Sequence, residues 1–173
     1  MSNRIPQYPL KKPLTRIDRH DQLPAGSIKL LELKDDSEGR DKLHTLVKHQ
    51  GHLSILISYH NLKTHKYYCD QLDFPLKTLS WFPQALEEFR KPPAEGGLHA
   101  GAMISKDVDV DGEMLAVGST TKGYALTNWS RNQQDPVTDY DPAEISLSWH
   151  FLYELGLLYH WKILGSQYDR AEI

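Results

Sequence analysis

Along the chain, apolar and polar residues change period several times, and those changes mark the elements. Residues 28–34 open a first strand after Gly26-Ser27, and the polar run 35–41 closes it. In residues 53–60, Leu53, Ile55, Ile57 and Tyr59 alternate with Ser54, Leu56, Ser58 and His60, the period of two of a half-buried strand. The run 61–65 turns the chain, and residues 66–74 continue as the hairpin partner. The period then lengthens. Phe82, Ala85, Leu86 and Phe89 fall on one face of a helix, with Ser80 placed as its N-cap, Pro83 in its first turn and Pro92-Pro93 ending it.

A second block repeats this plan. Asp111-Gly112 between two alternating stretches is a strong hairpin signal, and residues 119–123 turn the chain into a further strand over 124–130. A last helix is expected to start at Asp141, with Pro142 at the first helical position and Glu144 completing a capping box. Its apolar positions nearly encircle the axis, which suits a central helix or an interface. Each block ends near the tripeptide Leu-Ser-Trp, residues 79–81 and 147–149. The expected fold is therefore α+β, antiparallel strand meanders each followed by a helix, open to a pseudo-duplicated reading with halves at 25–93 and 102–165. Residues 1–24, with Pro6, Pro9, Pro13 and Pro24, read as a flexible basic arm before a domain spanning 25–173.

Composition, at 39% hydrophobic and 25% charged, fits a globular chain, and no apolar run approaches the roughly 18 residues that span a bilayer. No membrane partner is expected. The N-terminus lacks the apolar core of a secretory signal and Cys69 has no second cysteine to pair with, so a cytoplasmic location is expected. Net charge is −3, which gives no global attraction to nucleic acid, but the charge is unevenly spread. Arg4, Lys11, Lys12, Arg16 and Arg19 face only Asp18 and Asp21 in the arm, while Arg40, Lys42, Lys48, Lys63 and Lys66 face Asp41 alone in the next basic stretch. Acid gathers instead around residues 107–113 and 135–144.

Two strand blocks, each closed by a helix, resemble the PUR, Whirly and positive-cofactor-four superfamily of single-stranded nucleic-acid binders. Residues 120–129, Thr-Thr-Lys-Gly-Tyr-Ala-Leu-Thr-Asn-Trp, are similar to the basic, glycine-containing strand of PUR repeats, and residues 85–90, Ala-Leu-Glu-Glu-Phe-Arg, to the element in their helix. The two occur here in reverse order and in different blocks. The resemblance implies a curved sheet on which bases stack while Lys and Arg neutralise phosphates. The matching positions are Tyr59, Lys63, Lys66, Tyr68, Lys122, Tyr124, Trp129 and Arg131. Strand tyrosines equally serve as half-buried packing residues, and turn lysines as solvated ones.

Other chemistry is less complete. Asp107, Asp109, Asp111 and Gly112 fit the first positions of a calcium loop, but Gly118 stands where the bidentate glutamate belongs. As a strand face the three acids suit a magnesium ion, or simply protect an edge. His44, His49, His52, His60 and His65 are dense without four convergent ligands for zinc. Cys69, in an apolar strand, reads as an inert thiol. The glycine-rich run 95–101 around His99 lacks the lysine and hydroxyl of a phosphate-binding loop.

The expectation is thus a non-catalytic protein that binds single-stranded DNA or RNA, needs no cofactor and forms homo-oligomers. A protein-interaction module dimerising through the C-terminal helix is the alternative, and a metal-dependent nuclease or phosphodiesterase using Asp107, Asp109 and Asp111 is the third.

Overall fold

A computed structural model of the chain describes residues 5–95, 104–133 and 140–173. It is an α+β fold. The first sheet is a meander of β1 (Ile28–Asp35), β2 (Lys42–His49), β3 (His52–His60) and β4 (Tyr67–Pro75), followed by helix α1 (Thr78–Arg90). The second is a meander of β5 (Ile104–Val110), β6 (Glu113–Ser119), β7 (Gly123–Asn132) and β8 (Pro142–Ser148), followed by a π-helical turn, His150–Glu154, and helix α2 (Leu157–Asp169). All neighbouring strands run antiparallel.

Two hairpins turn on paired left-handed residues. Gln50 and Gly51 have φ of 50° and 77°, and Asp111 and Gly112 have 50° and 81°. Positive φ at both central positions is the geometry that matches the right-handed twist of the flanking strands. The Asp111-Gly112 signal is therefore realised as expected.

One apolar core runs through both halves. Leu53, Ile55, Leu72 and Phe74 of the first sheet meet Leu115, Val117, Leu126, Ile145 and Leu147 of the second, together with Phe82 and Leu86 of α1 and Trp161 and Leu164 of α2. The helices touch closely. Phe82 and Trp161 have ring centroids 4.9 Å apart, and a Cβ at Gly165 would lie 2.4 Å from the Leu79 carbonyl oxygen. That carbonyl is the one Pro83 cannot serve, since proline has no amide hydrogen to return to the residue four positions back.

The end of the second block departs from expectation. Residues 142–148 form strand β8 on β7, not the first turns of a helix. Ala143, Ile145 and Leu147 are buried while Glu144 and Ser146 are exposed, a period of two that wins because the ladder with β7 satisfies the backbone. Pro142 occupies the first strand position, where a missing amide costs little. Glu144 closes no capping box; its carboxylate accepts a 3.1 Å hydrogen bond from Thr127 Oγ1 on the neighbouring strand. The two Leu-Ser-Trp serines also exchange roles. Ser80 lies inside α1, whose N-cap is Lys77, whereas Ser148 caps a helical turn by accepting from the Phe151 amide at 3.0 Å.

The segment before β1 forms no regular element, yet it is attached. Ile17 is buried among Val47, Leu56 and Cys69, on the face of the first sheet opposite the main core. Its amide donates to Gln71 Oε1 at 2.7 Å, Arg16 donates to the Cys69 carbonyl at 2.9 Å, and the Lys11 amide reaches across to the Ser130 carbonyl of β7 at 2.8 Å. The segment straps both sheets together.

Candidate functional site

At the end of the first sheet farthest from the β2–β3 turn, β3 and β4 bring Tyr59 and Tyr68 into register. Their rings stack with centroids 5.3 Å apart and planes inclined by 19°. The Arg40 guanidinium, from the β1–β2 loop at residues 36–41, lies 4.8 Å from the Tyr59 centroid. Strand order places these groups in a row. Arg40 comes from the β2 side of β3 and Tyr68 from the β4 side, so in strand order Tyr59 lies between them. Because β4 is the edge strand, the row ends at Tyr68, which is 39% exposed.

The β3–β4 turn beside this row is ordered by Asn61, whose side-chain oxygen accepts from the amides of Lys63 and Thr64 at 2.9 and 3.1 Å. It presents Lys63 and Lys66 to solvent. At the same end is a cavity of about 510 Å³, lined by Arg40 and Tyr59 of the row together with His20, Lys34, His60 and Tyr67 among others. The strap supplies one wall: His20 Nδ1 lies 2.7 Å from the Tyr67 hydroxyl and Arg19 lies over the Tyr67 ring. Tyr67 is held above its ordinary pKa chiefly by burial, so it stays a neutral phenol at physiological pH.

The four expected residues of the second block do not join this row. Tyr124 is buried, edge-on to Phe89 at 5.9 Å, because its β7 position faces the main core with Leu126. Arg131 is also buried, and its Nε donates to Glu113 Oε1 at 2.5 Å. Neither presents a solvent-facing surface. Trp129 is half-buried, and its carbonyl accepts from the Tyr140 hydroxyl at 2.6 Å. Lys122 is exposed, and its charge helps lower the pKa of Glu38 in the β1–β2 loop, behind the hydrogen bond from Lys42.

Arg131 instead builds a polar junction between the sheets. Glu113, 2% exposed, accepts from Arg131 and from Asn128 Nδ2 at 3.0 Å, and lies 3.3 Å from His52 Nε2. Asn128 donates on to the Asp73 carbonyl, and Arg131 to the Lys12 carbonyl of the strap. Burial opposes the charge on Glu113, but the donors from His52, Arg131 and Asn128 overcome it and hold its pKa down at about 2.

The acidic row serves its hairpin. Asp109 Oδ1 accepts from the Gly112 amide at 2.7 Å, and Asp111 takes the left-handed turn position; the Asp107 side chain lies outside the described residues, as do residues 96–103 with His99. Among the described residues no group of three or more His, Cys, Asp or Glu is arranged to hold a metal ion. The histidines are dispersed: His44 is in the core, His49 bonds Thr15 and Ser27, His52 is at the junction, and His60 and His65 belong to the β3 end and the turn after it. Cys69 is buried, and burial pushes its thiol pKa up.

Arg40 is the residue that sequence reading missed. It stands in a polar loop, and only pairing of β2 with β3 carries it to Tyr59. Fold and site together define the class, an α+β protein of two strand-meander and helix blocks carrying a cation and aromatic row at one sheet end. Compared with known proteins, the chain matches no family model and no curated sequence. No helix among the described residues is long and apolar enough to cross a membrane.

Proposed function

We propose that this protein binds single-stranded nucleic acid, DNA or RNA, without catalysing a reaction on it. The observation that carries the reading is the row Arg40, Tyr59, Tyr68, which ends in an exposed aromatic ring on an edge strand beside Lys63 and Lys66. A base continues such a row by stacking on Tyr68, and the turn lysines neutralise the flanking phosphates. Two meanders each followed by a helix support the resemblance to the PUR, Whirly and positive-cofactor-four binders. A single buried thiol suits a reducing cytoplasm.

The test is titration of a fluorescent oligonucleotide at two salt concentrations. Binding should weaken steeply with salt, and Tyr68→Ala should cost about 1–3 kcal/mol, the usual worth of one base stacked on an aromatic ring. Absence of association at low salt, or full affinity in the variant, removes the reading.

A second reading, assembly through the C-terminal region, is favoured by the exposure of Tyr159 (67%) and Ile163 (42%) one turn apart on α2. Light scattering that shows a strict monomer at high concentration would dismiss it.

A further inference from the structure

The β1–β2 loop that carries Arg40 is held from below by the turn between β8 and α2. His150 of that turn lies between two carboxylates, with Nε2 2.9 Å from Asp36 Oδ1 of the loop and Nδ1 2.6 Å from Glu154 Oε2 of its own turn. Both partners only accept. Satisfying them together requires both ring nitrogens to donate, and only the doubly protonated imidazolium does so. The next residue of the loop, Ser37, is fixed as well: its hydroxyl bonds the Asp35 carboxylate and lies 2.8 Å from the hydroxyl of Ser148. Gly39 returns its amide to the Asp36 carbonyl at 3.3 Å, so the position of Arg40 follows from that of Asp36.

We propose that His150 is a positioning residue for the binding row. By bridging Asp36 and Glu154 it fixes the β1–β2 loop where Arg40 covers Tyr59, and so sets the affinity for the base stacked on Tyr68. The inference rests on the nucleic-acid reading and adds a regulation to it: binding that responds to pH through a residue in the second half of the fold. The two carboxylates that face His150 agree in sign. Asp36 faces it from the loop and Glu154 from its own turn; farther out, Lys122 acts on Glu38, and Arg90 of α1 is engaged with the Tyr153 hydroxyl at 2.7 Å. The hydrogen bond to Glu154, then that to Asp36, raises the imidazole's pKa above its ordinary value. The bridge is complete at low pH and is lost as pH rises through that raised pKa.

Two measurements test this. The first needs no ligand. NMR of the full chain should show the Gly39 amide and the Arg40 Nε–H titrating together with the His150 ring, and His150→Gln should abolish that titration. Resonances of Gly39 and Arg40 that are indifferent to the substitution overturn the proposal. The second is oligonucleotide affinity at pH 6 and pH 8. Wild type should lose about two- to fivefold, the worth of one exposed cation over a ring, while His150→Gln and Arg40→Ala should be weak at pH 6 and lose less on going to pH 8. Any slope that remains in those variants belongs to groups other than the His150 bridge. A wild-type slope that survives intact in His150→Gln sinks the inference while leaving the nucleic-acid reading in place. No wild-type binding at either pH removes that reading and the affinity claim with it, and the NMR result then decides the positioning of the loop.

Discussion

Replacing Glu113 with glutamine isolates the energetics of the junction between the two sheets. The carboxylate is buried, accepts from Arg131 and Asn128, and lies 3.3 Å from His52. Its pKa of about 2 in the fold, against an ordinary 4.5, is a difference of about 2.5 units, or roughly 3 kcal/mol of stability at neutral pH. Glu113→Gln removes that contribution and leaves the Arg131 guanidinium buried beside a neutral amide, a change that costs about 3–5 kcal/mol when one partner of a buried pair is lost. The sign with pH follows from the depressed pKa. The wild-type advantage is complete above pH 4.5 and fades as pH falls toward 2, because over that window the unfolded chain takes up a proton that the folded carboxylate still refuses. Urea unfolding of wild type and variant at pH 7 and pH 3 measures it. The gap in stability should be about 3 kcal/mol or more at pH 7 and should roughly halve by pH 3. An equal gap at both pH values would refute the assignment of the stability to the ionised carboxylate.

Two further substitutions probe other parts of the fold. His44 packs on Phe151 with ring centroids 4.5 Å apart, its Nδ1 has no hydrogen-bond partner among the described residues, and burial holds its pKa down to about 4. Wild type should therefore lose about 3 kcal/mol as pH falls from 6.5 to 4, a window above that of Glu113, and His44→Leu should flatten this slope; an unchanged slope in the variant would dismiss the explanation. Ile17→Ala should cost about 2 kcal/mol or more in urea unfolding and speed tryptic cleavage after Lys11, Arg16 and Arg19, because Ile17 is the buried anchor of the strap. Cleavage at the wild-type rate would mean that the strap is held by its hydrogen bonds alone.

Local chemistry made much of the fold legible. The alternation over residues 53–60, the Asp111-Gly112 turn and the apolar face of α1 each depend on neighbours within a few residues, and each formed where its pattern placed it. Strand β2 was harder to see. His44, Thr45 and His49 interrupt its apolar positions, yet all three are buried, and the strand is held on both sides by β1 and β3. The start signals at Asp141 were genuine local chemistry that lost to pairing. Pro142 and Glu144 suit a helix N-terminus, but Ala143, Ile145 and Leu147 bury more apolar surface as a strand against β7.

By itself the sequence determined the class of fold and the positions of most turns, because periodicity and turn preferences act over a few residues. It also placed Tyr59 and Tyr68 on one predicted hairpin, while their part as stacking candidates came from the resemblance to the PUR and Whirly binders. Tertiary structure alone decided which aromatic and basic residues share a surface. It sank Tyr124 into the core, engaged Arg131 with Glu113, carried Arg40 across to Tyr59 and brought His150 to Asp36. These outcomes turn on which strands pair and which face each buries, and such contacts join residues too far apart along the chain for any local pattern to record.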